Sequence, residues 1–235
     1  MNMVFPVADP VTPLAAAPAI LAAANHLLPH LERGQRVDAV TLRGAMETAF
    51  SASDATGAWD WKLAYEAGEV ATVLFLRKYG KALFRKAASP AARISVLAKI
   101  AALLPTQTRR SEESQSFQQF STPIPLGLAA LTAAAITPDD RVMEPSAGTG
   151  ALAAFAARAG ATLLLNEIDP FRQRLLRAVF GGEVTGHDGE HIDDLLQTPV
   201  LPEVVVMNPP FASSVDRSRD KHIAAKHLIA AAKRL

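Results

Sequence analysis

Four consecutive residues, Asn208, Pro209, Pro210 and Phe211, have the groups needed to hold a planar amino group. The Asn208 amide oxygen and the Pro209 carbonyl can both accept hydrogen bonds from one exocyclic amino group. Two prolines remove competing backbone donors and stiffen the turn. Phe211 offers a flat face on which a base can stack. The alternative is an ordinary proline turn, which the motifs upstream disfavour.

A turn with the sequence EPSAGTG follows a predicted strand and opens a predicted helix. Its candidate ligand-binding residues are Glu144, Pro145, Ser146, Gly148 and Gly150. Glycine lets the backbone pass close to a ligand, and the exposed amides at a helix start attract anionic or polar groups. The turn is not a P-loop, because no Gly-Lys-Ser/Thr follows, and it lacks the third glycine of the dinucleotide-binding pattern. The alternative is a turn with a structural role only.

Two carboxylates are predicted to follow neighbouring strands at the same edge of a sheet. Glu167 ends the second strand, 17 residues after Gly150, where an acidic side chain can accept two hydrogen bonds from ribose hydroxyls. Asp188 is expected where the third strand ends, and its carboxylate can accept hydrogens from an adenine amino group. Nearby alternatives to Asp188 are Glu190, Asp193 and Asp194.

The hydrophobic pattern changes along the chain and predicts two domains. Residues 1–105 form a predicted all-α domain, because their apolar residues recur at helical spacing. Residues 106–116 are polar, without this periodicity, and are a predicted linker or surface segment. Residues 117–235 are the predicted α/β domain. Within the helical part, helices are predicted to begin near Asp38, Asp60 and Ser89.

Short segments that alternate with helical ones predict four strands, at residues 141–144, 162–165, near Val184 and at 204–207. Helices are predicted between them, one of them over residues 171–180. Strands that alternate with helices imply a parallel sheet covered on both faces. The run at 204–207 is apolar at every position, which predicts a strand buried on both faces.

The composition excludes several classes of protein. Nearly half of the 235 residues are hydrophobic, enough for one or two domains with their own cores, and there is no cysteine. A disulfide framework and a thiolate zinc site are therefore excluded, and we expect no metal. The net charge of +1 gives no indication of partners. Residues 11–31 are apolar but interrupted and lack a basic start, so we expect no membrane span or signal peptide and a cytoplasmic protein.

The order of these motifs resembles the adenine-N6 class of nucleic-acid methyltransferases, which use S-adenosylmethionine. The stretch QFSTP at 119–123, which contains Thr122, resembles the segment that precedes the first strand in this class and packs over the methionine part of the cofactor. The stretches GAWDWKLAY at 57–65 and LPTQTRRSEES at 104–114 resemble the start of bacterial strawberry-notch-like proteins. Those proteins join an N-terminal methyltransferase to a large helicase.

The resemblance implies a Rossmann-like S-adenosylmethionine methyltransferase sheet preceded by an all-α N-terminal domain. It implies that Asn208, Pro209, Pro210 and Phe211 act on the acceptor base. The implied partners are nucleic acid, DNA before RNA, and a helicase region in the same polypeptide or in a partner chain. The cofactor residues that it implies are Thr122, Glu144, Pro145, Ser146, Gly148, Gly150, Glu167, Asp188 and Asn208.

Three alternatives stay open: methylation of RNA, methylation of glutamine in a protein, and a non-catalytic cofactor-binding or docking module. The catalytic sheet of the family has seven strands, but the predicted strands here number four. We therefore expect the chain to be truncated after the fourth strand and to lack robust activity alone.

Overall fold

The computed structural model describes residues 13–105, 121–197, 199–210 and 222–235. The predicted linker at 106–116 lies outside these ranges. The N-terminal part is formed by α1 (Pro13–Glu32), α2 (Ala39–Phe50), α3 (Trp61–Lys86) and α4 (Pro90–Ala101). Across the described ranges, no helix combines the length and the apolar character that crossing a membrane requires.

The starts of α2, α3 and α4 are set by local capping, and the predictions for them are confirmed. Asp38, Asp60 and Ser89 each accept a hydrogen bond from the backbone N–H three residues further on, at 2.8, 2.9 and 3.1 Å. These bonds satisfy donors that the first helical turn leaves unpaired. Pro90, at the first position of α4, has no N–H to satisfy.

Strands and helices alternate through the second part of the chain. Its elements are α5 (Ile124–Ala133), β1 (Arg141–Glu144), α6 (Ala151–Ala159), β2 (Thr162–Asn166), α7 (Pro170–Phe180), β3 (Val184–Thr185), α8 (Ile192–Leu195), β4 (Val204–Val205) and α9 (Ile223–Ala232). The four strands pair in parallel, in the order β3-β2-β1-β4. The chain is thus a mostly helical α/β protein with a small parallel sheet.

The sheet is covered on both faces, as its alternating side chains require. On one face, Val142 belongs to a core that joins the N-terminal helices to the helices of the second part. On the other face, Met143 packs with Ile192, Ala230 and Ala231. Representative buried residues of the larger core, one each from α1, α3, α4, α6 and α7, are Ile20, Val70, Leu97, Phe155 and Leu175.

Two features differ from the sequence predictions. The fourth strand was expected over residues 204–207 and buried on both faces, but β4 spans only Val204–Val205, and both valines are half-buried. In the described sheet β4 pairs with β1 alone, so one of its sides lacks a neighbouring strand. The helix α5 was not predicted, because its apolar run has no clear polar face.

Candidate functional site

The glycine turn after β1 takes the backbone conformations that its two glycines allow. Gly148 and Gly150 have φ of 56° and 91°, a region that residues with a Cβ rarely adopt. A Cβ at Gly150 would lie 2.4 Å from the Phe180 ring, so close packing also demands glycine there. A Cβ at Gly148 would meet nothing within 4 Å. The backbone at Gly148 therefore borders open space.

The carboxylate of Glu167 is bound to this turn. One oxygen accepts from the Gly148 N–H at 2.7 Å, and the other accepts from the Asp169 N–H at 3.0 Å. Glu167 is only 4% exposed. A carboxylate oxygen has two lone pairs, so each oxygen keeps one for a further donor.

Asn166, the last residue of β2, joins the ends of three strands. Its amide nitrogen donates to the carbonyls of Pro145 and His187, both at 2.8 Å. Its amide oxygen accepts from the Thr185 hydroxyl at 2.8 Å and from the His187 N–H at 2.9 Å. Asn166 is 1% exposed and fully hydrogen-bonded. The sequence analysis gave it no separate role, although it sits at the end of a predicted strand.

Glu144, at the end of β1, is buried beneath the turn. It is 3% exposed, and one of its carboxylate oxygens has no hydrogen-bond partner among the described residues. Burial raises the pKa of Glu144 well above its ordinary value, and the neighbouring charge of Glu167 raises it further. The side chain therefore holds its proton more readily than an exposed glutamate does.

Asp188 follows β3, as predicted, but its side chain already serves a local role. The carboxylate accepts from the Glu190 N–H at 3.0 Å and caps a one-turn 3₁₀ helix, Gly189–His191. Asp188 is exposed, so its remaining lone pairs face solvent.

His227 of α9 reaches the same strand ends, which the sequence analysis did not anticipate. A Cβ at Gly189 would lie 2.8 Å from the His227 Nδ1 and 3.2 Å from the Ser146 Oγ, so these two side chains flank Gly189. Burial lowers the pKa of His227, against the opposing charges of Asp188 and Glu190. No local sequence signal marks this residue, because it lies on a separate helix.

The acceptor motif is placed at the same edge of the sheet. β4 pairs in parallel with β1, with Val142 opposite Val204 and Met143 opposite Val205, and Asn208 follows three residues after β4. Asn208, Pro209 and Pro210 are half-buried. Phe211 lies outside the described residues.

Thr122 is the one predicted cofactor residue that precedes the sheet. It is half-buried and lies just before α5, a helix that packs on α6. Thr122 therefore lies next to a helix that packs on α6, and α6 is the helix that follows the glycine turn.

Four side chains connect α3 with the glycine turn and with α7: Glu66, Thr149 and Arg172 are buried and Glu69 is half-buried. None of them was predicted as a site residue from the sequence. Glu66 accepts from the Arg172 Nε at 3.1 Å and Nη2 at 2.6 Å. The Thr149 hydroxyl donates to Glu69 at 3.0 Å. The available signal was a pair of acids one turn apart, Glu66 and Glu69, within an otherwise apolar stretch of α3.

The charges in this cluster oppose the effect of burial. Burial raises the pKa values of Glu66 and Glu167, and the Arg172 guanidinium opposes that rise at both. For Arg172 itself, burial acts to lower the pKa, but Glu66, Glu167 and Glu69 hold it above its ordinary value. The arginine thus stays charged and serves as a shared counter-ion.

Two further observations bear on ligands. A cavity of about 610 Å³ lies between α1, α3 and α4, and none of its lining residues belongs to the predicted site. Within the described ranges, no group of three or more His, Cys, Asp or Glu side chains is arranged to hold a metal ion.

Comparisons with known proteins add no relative: no protein-family model, no curated protein and no solved structure matches the chain. The interpretation of the site therefore depends on its own geometry and chemistry.

Proposed function

We propose that this chain is an S-adenosylmethionine-dependent methyltransferase module, with a Rossmann-like sheet, that acts on adenine N6 in DNA. The observation that carries the proposal is the 2.7 Å hydrogen bond between the Gly148 N–H and Glu167. It joins a glycine turn to an acidic strand end at the carboxyl edge of a parallel sheet. Ligands of open α/β sheets bind at that edge, where the strand order reverses; in the order β3-β2-β1-β4 the reversal lies at β1.

The residues present fit a nucleoside cofactor with a charged amino-acid tail. The open side of Gly148 admits a ligand against the backbone. The free lone pairs of Glu167 suit two ribose hydroxyls, and those of Asp188 suit an adenine amino group. Glu144 has a buried oxygen with no hydrogen-bond partner among the described residues, and this oxygen can accept a hydrogen bond from an amino group of the ligand. When bound, S-adenosylmethionine supplies a methyl group activated by its sulfonium charge.

We propose that the Asn208 amide oxygen and the Pro209 carbonyl each accept a hydrogen bond from the acceptor amino group. This contact draws the nitrogen lone pair out of conjugation with the ring and toward the methyl group. The new N–C bond forms as the S–C bond breaks, the electron pair stays on sulfur, and the nitrogen loses one proton to solvent. Most of the rate gain comes from positioning and electrostatics.

The acceptor base must lie outside a stacked duplex. Adenine N6 in duplex DNA is paired and stacked, so the base is single-stranded or flipped when it reaches the site. Phe211, directly after the two prolines, is the proposed stacking partner. As in the strawberry-notch-like proteins that the sequence resembles, a helicase region in the same polypeptide or a partner chain would supply unpaired DNA.

The test is incubation of the chain with radiolabelled S-adenosylmethionine and a panel of substrates. The panel contains single-stranded DNA, duplex DNA, RNA and a glutamine-containing protein, each with the wild type and Asn208→Ala. Label on N6 of adenine in DNA, lost in the variant, supports the proposal. Label on RNA or glutamine changes the substrate class. Cofactor binding without transfer to any substrate, by this chain and by a version extended with the further strands that the resemblance implies, indicates a non-catalytic module and contradicts the proposed reaction.

A further inference from the structure

Two acidic side chains of α3 contact the two halves of the proposed cofactor site. Glu66 binds Arg172 of α7 through a single carboxylate oxygen, with an N–O distance of 2.6 Å. One helical turn later, Glu69 accepts from the Thr149 hydroxyl at 3.0 Å. Thr149 lies between the two glycines of the turn. The helix therefore contacts the site at the turn directly and at α7 through the arginine.

Three of these four side chains are buried, and Glu69 is half-buried. Glu66 and Arg172 are 4% and 7% exposed, and Thr149 is 5% exposed. Buried charges are stable only when they are paired, so the geometry of this cluster is tightly determined. The second oxygen of Glu66 has no hydrogen-bond partner among the described residues. A buried oxygen without a hydrogen bond destabilises the folded protein, so packing alone does not explain why the cluster is present.

The cluster extends to the ribose-binding candidate. Arg172 lies on α7, and the N-cap residue of that helix, Asp169, donates its backbone N–H to Glu167 at 3.0 Å. By pairing with Arg172, Glu66 fixes the helix that holds Glu167. Glu167 is 4% exposed, and its carboxylate must stay ionised to accept from two hydroxyls while it also accepts from two backbone amides. The Arg172 charge opposes the rise in the pKa of Glu167 that burial causes, which favours the ionised form.

We propose that α3 is a structural part of the cofactor site: Glu66 and Arg172 position Glu167 through the start of α7, and Glu69 positions the glycine turn through Thr149. The inference rests on the proposed function and adds positioning residues to it. We assign Glu66, Glu69, Thr149 and Arg172 positioning roles only, and none of them is proposed to contact the cofactor. They act through Glu167 and Gly148, whose placement must hold within about 0.5 Å for productive binding.

The test compares S-adenosylmethionine with its 2′,3′-dideoxyribose analogue by calorimetry. Only the natural cofactor has the hydroxyls that Glu167 is proposed to bind. The variant Glu66→Leu with Arg172→Leu removes the buried pair together, which apolar residues of similar volume tolerate. Its preference for the natural cofactor should fall about tenfold or more, as in Glu167→Gln, because hydrogen bonds to a charged group are worth about 1.5–3 kcal/mol. Affinity for the analogue should change less than about threefold, which a general loss of structure would not produce.

A second variant serves if the double variant does not fold. Thr149→Val keeps the shape of the side chain and removes the hydroxyl that binds Glu69. Its Gly148 amide hydrogen should exchange with solvent faster than in the wild type, and its affinity for the natural cofactor should fall. The matched control is Lys78→Met, which breaks the exposed Lys78–Glu32 pair of α3 and should change neither measurement.

The outcomes separate the two proposals. If the wild type binds the natural cofactor and the double variant keeps the full preference for it, the positioning role is wrong and the proposed function stands. Unchanged Gly148 exchange and affinity in Thr149→Val overturn the role of Glu69 in the same way. If the wild type binds neither compound, the proposed function fails and this inference fails with it.

Discussion

The Glu167 carboxylate and the Gly148 backbone N–H, 19 residues apart in the sequence, are joined by a hydrogen bond of 2.7 Å. The bond spans the ends of β1 and β2, so the glycine turn and the acidic strand end form one unit. A ligand at this edge must share the Glu167 oxygen with Gly148 or displace the bond. Binding and the conformation of the turn are therefore coupled.

Replacing Glu167 tests the cofactor site directly. Glu167→Gln keeps the shape of the side chain but has one acceptor oxygen instead of two and no charge. Affinity for S-adenosylmethionine should fall about tenfold or more, since charged hydrogen bonds contribute about 1.5–3 kcal/mol each. Calorimetry measures this, with the exposed Glu183→Gln as control. Equal affinity in Glu167→Gln and the wild type would remove Glu167 from the site.

The two glycines of the turn should respond differently to alanine. Gly148→Ala meets only conformational strain, about 1–2 kcal/mol, because the space beside it is open. Gly150→Ala adds the contact with Phe180 and should cost about 1–3 kcal/mol more. Urea denaturation measures both free energies of unfolding. Phe180→Leu in the Gly150→Ala background should recover part of the loss, and no recovery would contradict the packing explanation.

Asn166 should be important for stability because it joins three strand ends. Asn166→Asp replaces the donating amide with a buried carboxylate that faces the carbonyls of Pro145 and His187. We expect a loss of about 2–4 kcal/mol in the free energy of unfolding, measured at neutral pH. The exposed Asn25→Asp of α1 is the matched control and should change stability by less than about 0.5 kcal/mol. Similar stabilities for the two variants would count against the joining role.

Burial of Glu144 should make the free energy of unfolding decrease as pH rises. Its pKa is raised in the folded protein, so its contribution is fully present below its ordinary pKa of 4.5 and is lost as pH rises through the folded value. Glu144→Gln removes that loss. The variant should therefore gain stability over the wild type as pH rises from 4.5 to 8, measured by urea denaturation.

A control with the opposite sign is available at the other end of β1. Hydrogen bonds from Arg141 lower the pKa of Glu203 to about 2. The contribution of Glu203 is thus present above its ordinary pKa of 4.5 and is lost as pH falls. Glu203→Gln should be less stable than the wild type at neutral pH, with the difference shrinking in acid. Parallel pH curves for wild type and Glu144→Gln would show that Glu144 titrates normally.

Replacing Asn208 should slow methyl transfer without weakening the binding of the cofactor. Asn208→Ala removes an oxygen proposed to contact the acceptor amino group, and this contact strengthens in the transition state. The rate of transfer should fall roughly 100-fold or more, while affinity for S-adenosylmethionine stays within about threefold. Single-turnover kinetics and calorimetry provide the two numbers, with Asn25→Ala as control. Transfer at the wild-type rate would exclude Asn208 from catalysis.

The sequence by itself determined the features that depend on neighbouring residues. Asp38, Asp60 and Ser89 begin helices because a capping side chain reaches a backbone N–H three residues away. The central residues of β1 and β2 are apolar and lie between turn residues, so the positions of these strands were predictable. The parallel direction of the strands could be predicted from the helices between them, since parallel strands need such crossovers. For the same reason the strand-end candidates could be placed at one edge of the sheet from the sequence alone.

Only the tertiary structure decided which distant groups meet at that edge. Glu66 reaches Arg172 across 106 positions, and Glu69 reaches Thr149 across 80. His227 and Ser146 flank Gly189, although His227 belongs to α9, which packs on the Met143 face of the sheet. Such contacts depend on how whole helices pack, which is set by the shapes of many buried side chains together. No local spacing encodes them, and this is why the sequence indicated the strand ends but not the charges that surround them.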